Sequence, residues 1–393
     1  MILHDTIFTD KKARVLSAFL YVFSAVARIA EPCYTDTDTM KVSLKEKPMK
    51  ETLSAAAAPL LQWFEQNKRP LPWRADTLPY HVWISEIMLQ QTRIEAVMGY
   101  YARFMAALPD VEALSAVDDE KLLKLWEGLG YYSRARNLKK AAQMIMTDFG
   151  GSFPTQYAEL IKLPGVGEYT AGAIASICFN ERVPAVDGNV LRVTARLCAD
   201  RSNVLLPETK KKVTAALREV MPPQAGAFNE GLMELGETVC LPSEPLCEHC
   251  PLQPLCQAHA QGLTAELPVR IKKMKRRQTE LTVFLLVSEQ GNIAVEKRSD
   301  TGLLSGMYQL PNVEGYYSEN ELNDLLTAWE LMPQHIEFLK DVKHVFTHID
   351  WLMKGYRATV AEESRRFVWV SPAQLKSSYP LPTAFQKVLE GNL

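Results

Sequence analysis

The stretch LPGVGEYTAGA, residues 163–173, contains two glycines that flank a single valine and precede a run of small residues. Glycine has no Cβ atom, so it permits a tight turn and a close approach of the backbone to another group. The alanine-rich residues that follow are good helix formers. We therefore expect a tight turn at residues 165–167 that opens a helix.

The residues on both sides of this turn, from about 54 to 228, show the pattern of successive helices. Apolar residues recur at spacings of three and four, and glycine or proline separates most segments. Beyond residue 278, the runs ELTVFLLVSE, NIAVEKRS and RFVWVS predict strands, and ENELNDLLTAWEL predicts a helix between strands. Because 393 residues exceed one ordinary core, we predict a multidomain chain with an all-α region followed by an α+β region.

Four of the seven cysteines lie close together in the pattern C-x6-C-x2-C-x5-C. They are Cys240, Cys247, Cys250 and Cys256. Four thiolates hold either a tetrahedral zinc ion or a larger iron–sulfur cube. Zinc ribbons usually pair cysteines as two C-x2-C knuckles, and this loop has one, so the spacing favours the cluster, with zinc as the alternative. A closed four-sulfur site leaves no position for a substrate, which indicates a structural role.

The net charge of −2 gives no global sign of a polyanionic partner. The charge is uneven, however: residues 1–277 carry 34 Lys and Arg against 31 Asp and Glu, and residues 278–393 carry 10 against 15. Any surface for nucleic acid should therefore lie mainly in the first part.

The N-terminal segment has an apolar run at residues 15–30 that follows basic residues and superficially looks like a signal peptide. The run is too short to span a bilayer comfortably. The cysteine spacing suits a metal more than disulfides and argues against export, so we expect a cytoplasmic protein without a membrane partner. Met40 and Met49 are equally plausible start positions, and residues 1–50 read as an extension.

The combination of LPGVG, the aspartate of VDGNV and the cysteine pattern resembles the helix-hairpin-helix DNA glycosylases of the endonuclease III superfamily. More narrowly, the chain resembles the MutY-type adenine DNA glycosylases over about residues 50–393. The resemblance implies a helix-hairpin-helix core at 51–262, with a 4Fe-4S cluster loop at 240–256. It further implies a basic linker at 263–279 and a Nudix-like domain for 8-oxoguanine recognition at 280–393.

Two carboxylic acids carry the implied chemistry. Glu86 lies in the apolar helix VWISEIMLQQT, where partial burial raises a carboxyl pKa and makes it a usable general acid. The resemblance implies that Glu86 protonates the imidazole-ring nitrogen of a flipped-out adenine. From its local sequence alone, Asp187 is a turn residue or a helix N-cap. The resemblance implies that Asp187, with Asn189 beside it, faces the sugar and stabilises its oxocarbenium-like state.

Tyr169 follows the glycine turn at the position where relatives that also cut the strand hold a Schiff-base lysine. A phenol cannot form an imine, so Tyr169 favours a monofunctional glycosylase that leaves an abasic site. Two other classes stay as alternatives: a bifunctional glycosylase and lyase, and a non-enzymatic, metal-stabilised DNA-binding module.

The resemblance also implies three sets of DNA contacts. The backbone N–H groups of the turn, at Gly165, Val166 and Gly167, would bind a phosphate. Arg69, Trp73, Arg74 and Glu230 would line an adenine pocket, and Gln91 and Tyr131 would insert into the duplex. Further phosphate contacts are expected at Arg134, Arg136, Lys139, Lys140 and residues 272–277.

In the last region, GLLSGMYQLP at residues 302–311 resembles the Nudix core, but the glutamate-rich box of the Nudix hydrolases does not follow it. Nucleotide hydrolysis is therefore not expected. Phe346, Thr347 and His348 align with the loop that recognises 8-oxoguanine, where the family commonly has Phe-Ser-His. The implied partner is double-stranded DNA with adenine opposite 8-oxoguanine or guanine, bound by a monomer.

Overall fold

The structure, a computed structural model, describes residues 48–271, 277–299 and 302–392. The extension at residues 1–47 and the basic residues 272–276, for which we made predictions, lie outside these ranges. Within them, no helix is both long enough and apolar enough to cross a membrane.

The first part of the described chain contains helices joined by turns and short 3-10 segments, which confirms the all-α prediction. The α-helices are α1 (Met49–Asn67), α2 (Pro79–Leu89), α3 (Ile94–Ala107), α4 (Val111–Ala116), α5 (Asp119–Leu125), α6 (Ser133–Asp148), α7 (Tyr157–Leu160), α8 (Glu168–Phe179), α9 (Gly188–Leu197), α10 (Pro207–Val220), α11 (Ala225–Thr238) and α12 (Gln257–Ala260).

Two apolar clusters form the core of this helical part. One cluster contains the buried side chains of α2, α3, α6 and α8, with Trp83 and Trp126 fully buried at its centre. The other contains α1, α9, α10 and α11, and the cysteine loop packs on its edge. The candidate site described below takes side chains from helices of both clusters, so each cluster fixes one side of it.

The glycine turn has the predicted form. Helix α7 ends at Leu160, the Val166 N–H donates to the Leu163 carbonyl at 3.0 Å, and α8 begins at Glu168. Gly165 has a positive φ of 78°, and a Cβ there would lie 2.6 Å from the Asn137 Cβ. Only glycine satisfies both constraints without strain. The turn therefore joins two helices as a hairpin.

The second part is a mixed sheet with helices on its faces, which confirms the α+β prediction. The strands are β1 (Arg277–Ser288), β2 (Ile293–Lys297), β3 (Tyr308–Gln309), β4 (Asn312–Glu314), β5 (Pro333–Val345), β6 (Ile349–Val360) and β7 (Val368–Val370). The sheet order is β3-β2-β1-β6-β5, with β4 paired to β1 and β7 to β2. Strands β1 and β6 are parallel, and the other pairs are antiparallel.

Successive side chains of β1 point to opposite faces of the sheet. Val283 and Leu285 face α15 (Thr383–Leu389), whereas Phe284 and Leu286 face α13 (Glu319–Ala328). A short helix, α14 (Pro372–Ser377), precedes α15. The long strands β5 and β6 were not predicted. Strand β5 is a largely exposed edge strand, and its many charged residues hide the alternation of apolar and polar positions.

The sheet packs on the helical part through α5, α6 and the turn between them. Arg136 on α6 donates to the Ser305 carbonyl at 2.6 Å, and Glu127 accepts from the Leu381 N–H at 2.8 Å. Met307 is fully buried within the helical core cluster that contains α6. These contacts bring the loop between β5 and β6 towards the turn that carries Tyr131.

Candidate active site

A cavity of about 1700 Å³ lies between α2, α8, α9, α11 and the segment at residues 68–77. It gathers side chains that are far apart in sequence, and several of them had been singled out from the sequence. The predicted site residues that line it are Arg69, Trp73, Arg74, Glu86, Gln91, Gly165, Gly167, Tyr169, Asp187, Asn189 and Glu230. Val166 does not line it, because its side chain is buried in the helical core.

Glu86 projects into this cavity from α2 and is only 8% exposed. The pKa of its carboxyl is raised to about 7, mainly by burial and also by the nearby carboxylates Glu230 and Asp187, against the lowering effect of Tyr169 and Arg74. The Oε2 atom is buried and accepts no hydrogen bond from any described residue. Glu86 can therefore hold a proton near neutral pH and give it to a group inside the cavity.

Tyr169 stands beside Glu86 in the first turn of α8. Its hydroxyl lies 3.1 Å from the Met233 sulfur and also interacts with the Glu86 carboxyl. Burial and the surrounding carboxylates raise the Tyr169 pKa well above its usual value, so the phenol keeps its proton. A neutral hydroxyl at this point can orient Glu86 but supplies no amine.

Asp187 is the N-cap of α9, as the sequence suggested. Its Oδ1 accepts the Val190 N–H at 2.7 Å, and its Oδ2 accepts from Asn189 Nδ2 at 2.9 Å. Burial raises the Asp187 pKa, and these two hydrogen bonds oppose that rise. The carboxylate is thus fixed in position and lines the same cavity as Glu86.

Two arginines and two glutamates form a buried network on another wall of the cavity. Glu234, 1% exposed, accepts from Arg69 Nε at 2.5 Å and from Arg74 Nη2 at 3.0 Å. Arg74 Nε also donates to Glu230 at 2.8 Å. Although burial alone would raise the Glu234 pKa, the hydrogen bonds and charges of Arg69 and Arg74 lower it. These contacts join Arg69, Arg74 and Glu230 around the buried Glu234 carboxylate.

Removal of the Glu234 carboxylate should destabilise the fold strongly. In Glu234→Ala, Arg69 and Arg74 lose a shared buried partner, so we expect the free energy of unfolding to fall by about 3–5 kcal/mol. Chemical denaturation measures this change. The control is Glu65→Ala, because Glu65 forms an exposed 3.0 Å pair with Lys68 and its loss should cost about 0–1 kcal/mol. Equal losses in the two variants would contradict the structural role of Glu234.

The sequence analysis missed several cavity residues on α11, among them Met233, Glu234 and Glu237. Together with Glu230 they recur at three and four positions along the helix and so share one face. That spacing was readable from the sequence, but their roles depend on partners from distant segments. Glu237, for example, accepts from Asn189 Nδ2 at 3.0 Å.

The two residues expected to enter the duplex, Gln91 and Tyr131, meet one residue of the expected lesion loop. The Tyr131 hydroxyl donates to Gln91 Oε1 and lies 2.8 Å from Thr347 Oγ1. Tyr131 is 45% exposed, and Gln91 and Thr347 are also exposed. A single phenol therefore connects the helical part to the loop between β5 and β6.

The other two residues of that loop differ in exposure. Phe346 makes edge-to-face contacts with two rings, and its ring centroid lies 4.6 Å from that of His344 and 4.9 Å from that of Trp351. His348 is exposed, and its carbonyl accepts the Arg277 N–H at 3.2 Å. These aromatic contacts hold the base of the loop, while Thr347 and His348 stay accessible.

The structure changes the interpretation of the predicted phosphate contacts on α6. Arg134 is 8% exposed and binds backbone carbonyls, so its assignment as a phosphate contact was wrong. Arg136 binds the Ser305 carbonyl, and Lys139 is paired with Asp119. Lys140 is exposed. The presence of basic residues in a sequence does not show whether their side chains are buried, paired or free to bind phosphate.

The cysteine loop is joined to the cavity through Arg192. Its Nε donates to the Cys240 carbonyl at 2.8 Å, and its Nη2 donates to Asn189 Oδ1 at 2.8 Å. Asn189 in turn donates to Asp187. Gly236 permits this packing, because a Cβ there would lie 2.6 Å from the Asn189 Cβ. The position of Asp187 thus depends on the conformation of the loop.

The cysteine loop brings four thiols to one small cavity, and four thiolates are the donor set that a 4Fe-4S cluster takes. The sulfur-bearing residues Cys240, Cys247, Cys250 and Cys256 are free thiols and line one small cavity. Arg196 joins them there, with Nη1 3.4 Å from the Cys240 sulfur, and a guanidinium suits the negative charge of a thiolate-bound metal. Among the described residues, no three His, Cys, Asp or Glu side chains are grouped as ligands of a single metal ion.

Two family models match the chain. Residues 84–223 match the family described as HhH-GPD superfamily base excision DNA repair protein, and residues 282–391 match a NUDIX domain. The first range contains Glu86, Tyr169 and Asp187, and the second contains the sheet of the second part.

The chain is similar to curated proteins along most of its length. It is 36% identical to the adenine DNA glycosylase of Mus musculus over 365 residues, which cover 77% of this chain and 70% of the relative. It is 31% identical to the adenine DNA glycosylase of Buchnera aphidicola subsp. Baizongia pistaciae, with 84% and 94% covered. A solved thermostable thymine-DNA glycosylase matches 55% of this chain at 26% identity, with a TM-score of 0.49.

Proposed function

Because the chain belongs to the adenine DNA glycosylase family, we propose that it removes adenine opposite 8-oxoguanine or guanine in double-stranded DNA and leaves an abasic site. The observation that carries this proposal is the pair of carboxyl groups in one cavity, Glu86 with its pKa of about 7 and Asp187 as a fixed helix cap.

The two carboxyl groups divide the reaction between them. Glu86 donates its proton to the imidazole-ring nitrogen of the flipped adenine, which turns the base into a leaving group. The glycosidic bond breaks with both electrons going to the base, and positive charge develops on the sugar. The Asp187 carboxylate stabilises that charge. Water then adds its oxygen to the sugar carbon and gives up a proton, which the Glu86 carboxylate takes, so that Glu86 returns to its acid form. Tyr169 orients Glu86 and, having no amine, leaves the abasic strand uncut.

Recognition of the two bases is assigned to different parts of the chain. We assign Arg69, Trp73, Arg74 and Glu230 to the adenine pocket, and Gln91 and Tyr131 to the stack vacated by the adenine. Phe346, Thr347 and His348 would contact 8-oxoguanine. The hydrogen bond between Tyr131 and Thr347 supports a coupling of insertion to this contact. The N–H groups of Gly165 and Gly167 would bind a phosphate, whereas the expected contact from Val166 is not retained, because its N–H already donates to the Leu163 carbonyl.

We further propose that the four cysteines hold a 4Fe-4S cluster. The cluster would fix the loop that positions Arg192, and thereby Asn189 and Asp187, so its contribution would be structural. Iron analysis and absorption spectroscopy of the purified protein test this: iron with broad brown absorption is expected. A protein with zinc and without iron would contradict it.

The proposal extends to the organisation of the chain. We assign excision to residues 51–262, the linker to 263–279 and the check of the opposite base to 280–393, with residues 1–50 as an extension. One chain supplies all these residues, so we propose a monomer. We propose a cytoplasmic location, because the substrate is DNA and the cysteines of the loop are free thiols.

The rate of excision should depend on pH through Glu86. Its carboxyl must be protonated, so the single-turnover rate is expected to fall about tenfold per pH unit above about 7. Asp187 must be ionised, and because burial raises its pKa the rate should also fall on the acidic side. The rate measured in a pH series should therefore be bell-shaped. A rate that stays constant well above pH 7 would contradict the role of Glu86.

A strand-labelled duplex with adenine opposite 8-oxoguanine tests the proposed function. After incubation with the protein, strand breakage is compared with and without alkali, and breakage after alkali alone is expected. Breakage without alkali would indicate lyase chemistry from another amine. A strand that stays intact in both lanes, despite binding, would contradict excision and favour a non-catalytic binding protein.

A further inference from the structure

Arg134, at the start of α6, connects the two loops that carry Gln91 and Tyr131. Its guanidinium donates five hydrogen bonds to backbone carbonyls. On one side it binds Ile87, Met88 and Gln90 at 2.7, 3.1 and 2.8 Å. On the other it binds Leu129 and Gly130 at 3.1 and 3.2 Å, immediately before Tyr131.

Each loop contains one residue in an unusual backbone conformation. Gln91 has φ of 59° and Tyr131 has φ of 47°, in the left-handed region that residues with a side chain rarely adopt. Such a conformation persists only where the surroundings impose it. Arg134 binds the carbonyl directly before each of these residues, at Gln90 and Gly130, so it acts on both peptide groups that determine the two turns.

Arg134 also contacts one of the two side chains directly. Its guanidinium carbon lies 5.4 Å from the centroid of the Tyr131 ring and 5.4 Å from that of the buried Trp126. The planar cation is therefore held between a core ring and the exposed ring. The Arg134 guanidinium thus contacts both the side chain of Tyr131 and the backbone carbonyl before it.

We propose that Arg134 is a positioning residue for base flipping, which presets Gln91 and Tyr131 for entry into the duplex before DNA binds. This inference rests on the proposed function, in which those two residues fill the vacated stack. Pre-arranged side chains lose little conformational freedom on insertion, so more of their contact energy is available to offset unstacking. Lysine could not replace the arginine, because a single ammonium cannot reach both loops with a fixed fork of donors.

The first test measures flipping separately from chemistry. Duplex DNA carries 2-aminopurine in place of the target adenine, opposite 8-oxoguanine, and its fluorescence rises when it leaves the stack. In the Glu86→Gln background, which blocks excision, Arg134→Lys is expected to lower the flipping equilibrium about tenfold. Arg182→Lys is the control, since Arg182 is also an arginine bound to a backbone carbonyl, that of Met221, which belongs to neither loop, and its substitution should leave flipping unchanged. Thermal unfolding confirms that each variant is folded.

The second test separates positioning from general stability. Single-turnover excision rates are compared for Arg134→Lys, for the double variant Gln91→Ala/Tyr131→Ala, and for the triple variant. If Arg134 acts through these side chains, adding Arg134→Lys to the double variant should change the rate by less than about twofold. Multiplicative losses, unchanged flipping in Arg134→Lys, or loss of folding in both Arg134→Lys and Arg134→Met would overturn the inference. Absence of flipping in the Glu86→Gln parent would instead contradict the proposed function.

Discussion

Glu86→Gln is expected to reduce the single-turnover excision of adenine opposite 8-oxoguanine by at least about 10³-fold. Glutamine has the size of the protonated acid and can still donate a hydrogen bond, but it cannot transfer a proton to the base. The cavity keeps its shape, so binding of the same duplex should change by less than about threefold. A loss confined to the chemical step would identify Glu86 as the general acid.

The same substitution should stabilise the protein at alkaline pH. Because the folded pKa of Glu86 is raised from 4.5 to about 7, its contribution to stability is fully present below pH 4.5 and is lost as pH rises to 7. Glutamine stays neutral throughout, so Glu86→Gln should gain about 3 kcal/mol over the wild type at pH 8 and almost nothing at pH 4. The catalytic acid is therefore retained at a cost in stability.

Excision rates, DNA binding and denaturant unfolding at pH 4 and pH 8 test both halves of this prediction. Glu65→Gln is the control, because Glu65 is exposed and forms its ion pair with the neighbouring, exposed Lys68. It should change neither the rate nor the pH dependence of stability. Excision by Glu86→Gln at a rate near that of the wild type would refute the assignment of the general acid.

The sequence predicted the helical hairpin and the helix of Glu86 because each depends on local chemistry. A glycine at Gly165 is required by its backbone angle, and an apolar helix around Glu86 implies its burial. The edge strand β5 was missed, since its register depends on pairing with β6 and not on its own pattern.

The partners of the site residues could not be predicted, because they join distant segments. Arg69 and Glu234 are 165 positions apart, and Tyr131 and Thr347 are 216 apart. The surroundings of Arg134 could not be predicted either, for the same reason. Its position among basic residues predicted solvent and phosphate. In the fold, it instead donates to carbonyls of the last turn of α2, to that of Gln90, and to those of Leu129 and Gly130.

Asp187→Asn should separate the two roles of Asp187, which is both a helix cap and a negative charge beside the sugar. Asparagine caps helices about as well as aspartate, so the Val190 N–H keeps its acceptor and the free energy of unfolding should change by less than about 0.5 kcal/mol. The charge that stabilises the oxocarbenium-like state is lost, and excision should fall by about 10²–10³-fold.

Asp187→Ala removes the cap as well as the charge. It should lose the same activity and, in addition, about 1 kcal/mol of stability, because the first turn of α9 then has an unpaired N–H. Asp118→Asn is the matched control: Asp118 caps α5 by accepting the Glu120 and Lys121 N–H groups outside the cavity, so its excision rate should equal that of the wild type. Single-turnover rates and thermal unfolding decide the outcome. If Asp187→Asn kept its rate within about threefold, Asp187 would be a cap alone, and the charge on the sugar would have to be met by another group in the cavity.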